Sequence, residues 1–148
     1  MQTDIQAPRQ EALGVLASAE MKDLNGAWDS WENRPDVQMI RGPETGLIML
    51  RGRTGGGGAP FNMGEATVSR ASVRIATGEV GHGYCLGRDE EKARLIAVID
   101  ALFQRESANI EVAILRPLRD IAYARDKQRQ DETAATKVEF FTMVRGED

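Results

Sequence analysis

Two pairs of arginines sit at strand spacing in the middle of the chain. Arg51 and Arg53 close the run Leu47-Ile48-Met49-Leu50-Arg51-Gly52-Arg53, and Arg70 and Arg74 alternate with Ala71, Val73 and Ile75. Alternate residues of a strand share a face, so each pair points one way from its own strand. If the two faces coincide, four guanidinium groups converge, and the ligand that suits them is a polyanion, because the guanidinium fork matches paired oxygens. The plainer alternative is a solvated sheet face, or ion pairs with some of the 23 acidic side chains.

Between the arginine pairs lie four consecutive glycines, Gly55 to Gly58. Glycine-rich turns can offer backbone N–H groups to phosphate. A nucleotide-binding P-loop also needs Lys-Ser/Thr and a helix directly after the glycines. Here Ala59-Pro60-Phe61 follows, and Pro60 has no N–H. A flexible connection between strands accounts better for the run. His82 and Cys85 are single residues of their kinds. Two ligands fall short of a metal site, and positions three apart on a strand face opposite ways, which also separates them as nucleophile and base. Asp89, Glu90 and Glu91 suit a helix start. No complete active site is legible, so no catalytic or metal-binding residue is assigned.

The 148 residues suffice for one domain with its own core. Net charge is −4 and the isoelectric point about 5.1, which argues against a nucleic-acid or membrane surface. No apolar run approaches the roughly 20 residues that cross a bilayer. The opening residues Met1-Gln2-Thr3-Asp4-Ile5-Gln6 carry no apolar signal core, and residues 1–6 are expected to be disordered. One cysteine excludes an internal disulfide and fits a reducing compartment, so a cytoplasmic location is expected. Aromatic residues make up only 5%, which predicts a thin core that a partner surface completes.

The elements that must position these residues follow from periodicity. Leu13, Leu16 and Ala17 predict a first helix over 5–19, with Pro8 in its first turn. Leu24, Trp28 and Trp31 predict a second over 21–31. Val37 to Arg41, Leu47 to Arg53, Thr67 to Ile75 and Val80 to Leu86 read as strands joined by short connections, hence an antiparallel meander. Asp89 caps the next helix, in which the stripe Leu95, Val98, Ile99 and Leu102 is the better face for the sheet. That helix ends near Glu106 and Ser107. Ile110 to Leu115 alternates as a fifth strand would, but is short. Pro117 opens a last helix to about Ala135. Its segment Arg125 to Glu132 is almost wholly polar, as in a solvated helix or one lying across another subunit. Lys137 to Gly146 is apolar again and should pair with a sheet or dock on a partner. The expected fold is α+β, a single domain with an antiparallel meander of about four or five strands against helices.

Glu44-Thr45-Gly46-Leu47, Gly64-Glu65-Ala66-Thr67-Val68, Arg70-Ala71, Leu86-Gly87-Arg88-Asp89, Ile99-Asp100-Ala101-Leu102 and the closing run Phe140 to Gly146 occur in an order that resembles the PhnG family. This is the G subunit of bacterial carbon–phosphorus lyase, and the resemblance spans Leu13 to Glu147. It implies a cytoplasmic subunit of the phosphonate-degrading core complex, with H, I and J partners in paired copies. An ATP-binding-cassette-like L subunit, with K as a further candidate, would join them. Together G, H, I and L would displace adenine from ATP with methylphosphonate, giving alpha-D-ribose 1-methylphosphonate 5-triphosphate. The resemblance ascribes the nucleosidase step to I. It assigns radical cleavage, with an iron–sulfur cluster and S-adenosylmethionine, to J, so no cofactor is expected on this chain alone. It assigns no catalytic residue here. The chain is therefore expected to be structural, with Phe140, Phe141, Met143 and Arg145 as partner contacts. The alternative is that Arg51, Arg53, Arg70 and Arg74 hold the nucleotide triphosphate or the phosphonate.

Overall fold

The computed structural model describes residues 5–145, with side chains through residue 137. Two short helices, α1 (Gln6–Ser18) and α2 (Met21–Asp29), lead into strands β1 (Val37–Arg53), β2 (Pro60–Ile75) and β3 (Val80–Leu86). Helices α3 (Glu90–Ile110) and α4 (Arg116–Arg145) follow. Gln6, expected to lie outside the ordered fold, opens α1 with Ile5 at its N-cap, and residues 1–4 lie outside the described residues. The strands form an antiparallel sheet in the order β1-β2-β3, a meander as periodicity predicts. The architecture is α+β, and no described helix is long and apolar enough to cross a membrane.

The sheet has three strands rather than four or five among the described residues. Val37–Arg41 and Leu47–Arg53, expected as separate strands, are one strand that pairs with β2 from Val37↔Ile75 to Arg53↔Pro60. The predicted turn Gly42 to Gly46 is absorbed as a bulge. Register shifts fall between Met39 and Arg41 and between Arg41 and Glu44, and Gly42 takes φ +69°, a conformation that glycine reaches without Cβ strain. The other candidate strand, Ile110 to Leu115, lies on the helical path between α3 and α4, its residues Glu111–Leu115 forming a π-helical turn. Ile110, Ile114 and Leu115 are buried there while Val112 is exposed, so helical spacing rather than alternation satisfies the core.

Helix α3 is the centre of the molecule. Every residue from Leu95 to Phe103 is buried, because the sheet covers one side and α1, with the turn Glu111–Leu115, packs on the other. The stripe Leu95, Val98, Ile99 and Leu102 is buried, and so is the face of Ala93, Ile96, Ala97, Asp100 and Phe103. The tightest contact with the sheet is made by Ala93, Ala97 and Ala101, not by the leucine-rich stripe favoured on hydrophobicity. A Cβ on Gly83 would lie 1.8 Å from the Ala93 carbonyl oxygen, and one on Gly81 1.9 Å from that of Ala97. Glycines on β3 and alanines on α3 thus let two backbones approach. Asp89 caps α3 as expected: its carboxylate accepts from the Lys92 N–H at 3.1 Å. The helix kinks at Glu106 (φ −148°, ψ 65°), where the sequence predicts its end, then resumes to Ile110. Lys92 Nζ donates to the carbonyls of Ala17 (2.9 Å) and Ala19 (2.6 Å), closing the end of α1.

Beyond the packed body, β1 and β2 continue without β3. The third strand flanks β2 only from Val68 to Arg74. Leu47–Arg53 and Pro60–Thr67 therefore form a two-stranded ribbon, about 20 Å long at about 3.3 Å per residue. The four glycines lie at its tip, where Gly55 and Gly56 take positive φ and Thr54–Gly56 makes a short turn of 3-10 helix.

Candidate functional site

The predicted arginines are all exposed, and they fall in two places. Arg51 and Arg53 sit near the ribbon tip, opposite Asn62 and Pro60. Arg70 and Arg74 sit on the body of the sheet, opposite Glu44 and Gln38. Asn62 and Arg70 are separated by about 25 Å along β2, at about 3.3 Å per residue, so the register does not bring the two pairs to one ligand. Arg51 shares a shallow cleft with Pro60, Phe61 and Asn62. Arg70 Nε donates to Glu44 Oε1 at 2.6 Å, and Arg41 Nε donates to the same oxygen at 2.8 Å. The hydrogen bond from Arg70, with the charges of both arginines, holds the Glu44 carboxyl below the usual range.

His82 and Cys85 part as strand alternation requires. His82 is exposed on the open face, and Cys85 is buried against α3. Burial pushes the Cys85 thiol up, away from the thiolate a nucleophile needs. His82 instead pairs with Ser72, Nδ1 to Oγ, at 2.8 Å. Among the described residues, no three His, Cys, Asp or Glu side chains converge as a metal would require. The side chains of Phe140, Phe141, Met143 and Arg145 lie outside the described residues. The backbone there continues α4 to Arg145, beyond the predicted end near Ala135.

A groove of about 840 Å³ runs between α1, α2 and α4. Five of its ionisable groups, Glu11, Glu20, Asp23, Arg119 and Arg125, are held in ion pairs. Arg119 donates to Glu11 and Glu111, and Arg125 donates to Asp23 at 2.8 Å with Glu20 at 3.1 Å. The bond from Arg119 holds Glu11 below the usual carboxylate range. These pairs stitch the helices together, while Asp126 and Arg129 also line the groove.

Sequence reasoning passed over one buried ionic site. Asp100, 2% exposed, accepts from Arg9 Nε and Nη2, both at 2.8 Å, and from the His82 backbone N–H at 2.8 Å. The signal was visible: Asp100 is the one charge between Leu95 and Phe103. Its work is structural. It joins α1, α3 and the outer edge of β3, where Gln104 also donates to the Val80 carbonyl at 2.7 Å. An edge occupied in this way does not recruit another strand there.

The geometry thus contains an ordered body, a projecting ribbon and no catalytic constellation among the described residues. Comparison with known proteins gives this a context. The family model for phosphonate metabolism protein PhnG matches residues 7–146. The chain belongs to the PhnG family. A relative from Rhizobium meliloti (strain 1021), named alpha-D-ribose 1-methylphosphonate 5-triphosphate synthase subunit PhnG, is 54% identical over 143 residues. That match covers 96% of this chain and 92% of the relative. The PhnG resemblance read from the order of short motifs therefore stands.

Proposed function

We propose that this chain is a bracing, non-catalytic subunit of an alpha-D-ribose 1-methylphosphonate 5-triphosphate synthase in phosphonate catabolism. In that assembly ATP and methylphosphonate give the ribose triphosphate product and adenine, with the ribosyl bond transferred from adenine to the phosphonate oxygen. The partners are the H, I and L subunits for this step and J for the later radical cleavage, in the cytoplasm. The nucleosidase chemistry falls to I, and the iron–sulfur cluster and S-adenosylmethionine to J.

The observation that carries the bracing role is the ribbon. Leu47 and Met63 are each 66% exposed, and Met49, Leu50 and Phe61 lie beside them in the same exposed segment. Apolar side chains gathered on a projecting element mark an interaction surface. Among the described residues no strand flanks the ribbon on either side, so its backbone edges are also available for pairing. The membership of this chain in a family whose relative is named a synthase subunit supports a partner protein as the occupant. The test is co-expression of the tagged chain with its partner subunits, followed by purification on the tag. Replacement of Leu47, Met49, Phe61 and Met63 by threonine should release the partners while the variant itself stays folded. Retention of all partners by that variant would overturn the ribbon's role.

A further inference from the structure

The open face of the sheet, opposite α3, holds a second cluster, which the bracing role does not use. Ser72 lies at its centre. Register places Arg41 of β1 on one side of Ser72 and His82 of β3 on the other. Arg70 and Arg74 lie two positions before and after Ser72 on the same face of β2, opposite the buried face of Ala71, Val73 and Ile75. Each is diagonal to His82, a separation of about 7–8 Å that long side chains bridge. Arg41 and Arg70 share the single Glu44 carboxylate. The Arg74 side chain has no ion pair or hydrogen bond among the described residues, and it borders a shallow pocket with Gln38. Three arginines thus stand against one carboxylate on this face, within a chain of net charge −4.

We propose that this face binds a phosphate-type oxyanion, with Arg74 and Arg70 gripping its oxygens and the Ser72 hydroxyl donating between them. In the tautomer that carries the proton on His82 Nδ1, the ring donates to Ser72 Oγ, and the hydroxyl proton is left to point at the anion. Arg70 and Arg74 are about 13 Å apart along the strand, so a chain of phosphates engages both more fully than a single group does. The shared chemistry has two sources, the triphosphate of a nucleotide or a phosphonate. This assignment narrows the earlier reading of four converging arginines to the pair on the body of the sheet, and sets aside Arg51 and Arg53. It does not rest on the bracing role: Arg74→Ala should leave co-purification with partners intact, so either idea can fail alone.

His82 is the sole histidine, so its ring proton resonance is an unambiguous probe in the full-length chain. The titrants are inorganic tripolyphosphate and, separately, methylphosphonate, each to about 10 mM at constant ionic strength. Tripolyphosphate should produce a saturable shift of the His82 resonance. Arg74→Ala should weaken that binding by about tenfold, the loss expected for one charge-assisted contact. Arg51→Ala should leave it unchanged. A matching shift with methylphosphonate assigns the site to the phosphonate as well; tripolyphosphate alone assigns it to the phosphate chain. Absence of a saturable shift with both anions, or an equal affinity in Arg74→Ala, overturns the proposal.

Discussion

Asp100 shows how a single residue can organise three elements. Its carboxylate neutralises Arg9 from α1, occupies the His82 N–H at the edge of β3 and rides on α3. Removing one partner of a buried pair leaves the other uncompensated, and this usually costs about 3–5 kcal/mol. Asp100→Ala should therefore lower unfolding free energy by about 3 kcal/mol, measured by urea denaturation. Arg9→Ala leaves the buried Asp100 carboxylate without its cation and should cost at least as much. Gly83 tests the close approach of strand and helix. Gly83→Ala places a methyl against the Ala93 carbonyl and should cost about 3 kcal/mol or more, read as a lowered melting temperature. Unchanged melting in that variant would mean α3 does not seat on β3 as described. Carboxylates add a pH dependence. Arg119 holds Glu11, Arg70 holds Glu44 and Arg105 holds Glu106 below the usual range. A depressed folded-state value gives stability that is present above the unfolded value and lost as pH falls through the folded one. The urea midpoint should thus fall as pH drops below about 4.5, and Arg119→Gln should flatten that slope.

At the scale of elements, what could be read in advance depended on whether the cue was local. The N-cap of α3 was legible because Asp89 carries its own acceptor to the helix start. The meander was legible from the alternation of Ala71, Val73 and Ile75 with polar residues and from short connections. The bulge at Gly42 was not. Gly42-Pro43-Glu44-Thr45-Gly46 has the chemistry of a turn, and only the long partner strand β2 decides that the chain runs straight on. The face of α3 was equally hidden, since the leucine-rich stripe and the face of Ala93, Ala97 and Ala101 are both buried. The deciding fit is between Ala93, Ala97 and Ala101 and the glycines of β3, which lie far from one another in sequence. The arginines followed the same rule. Strand spacing placed each pair on its own strand, but the register that parts them depends on pairing along β2. The ribbon was hidden for the same reason, because its projection depends on where β3 stops.

As a whole, the molecule divides into a body that satisfies itself and a ribbon that does not. The body buries an unbroken run on α3, pairs its buried charge and occupies the edge of β3. The core is thin in aromatic residues yet closed by helices on one side and the sheet on the other. What remains outward includes an apolar ribbon and, on the open sheet face, the cluster of Arg41, Arg70 and Arg74. That division suits a subunit whose own fold is secure and whose outward surfaces serve an assembly. Native mass spectrometry after co-expression with the partner subunits tests this most directly, comparing the parent chain with its Leu47→Thr, Met49→Thr, Phe61→Thr, Met63→Thr variant. The exposed positions should leave folding within about 0.5 kcal/mol per substitution. The predicted result is a hetero-oligomer for the parent and a folded, partner-free chain for the variant. A variant that assembles as fully as the parent would contradict the account.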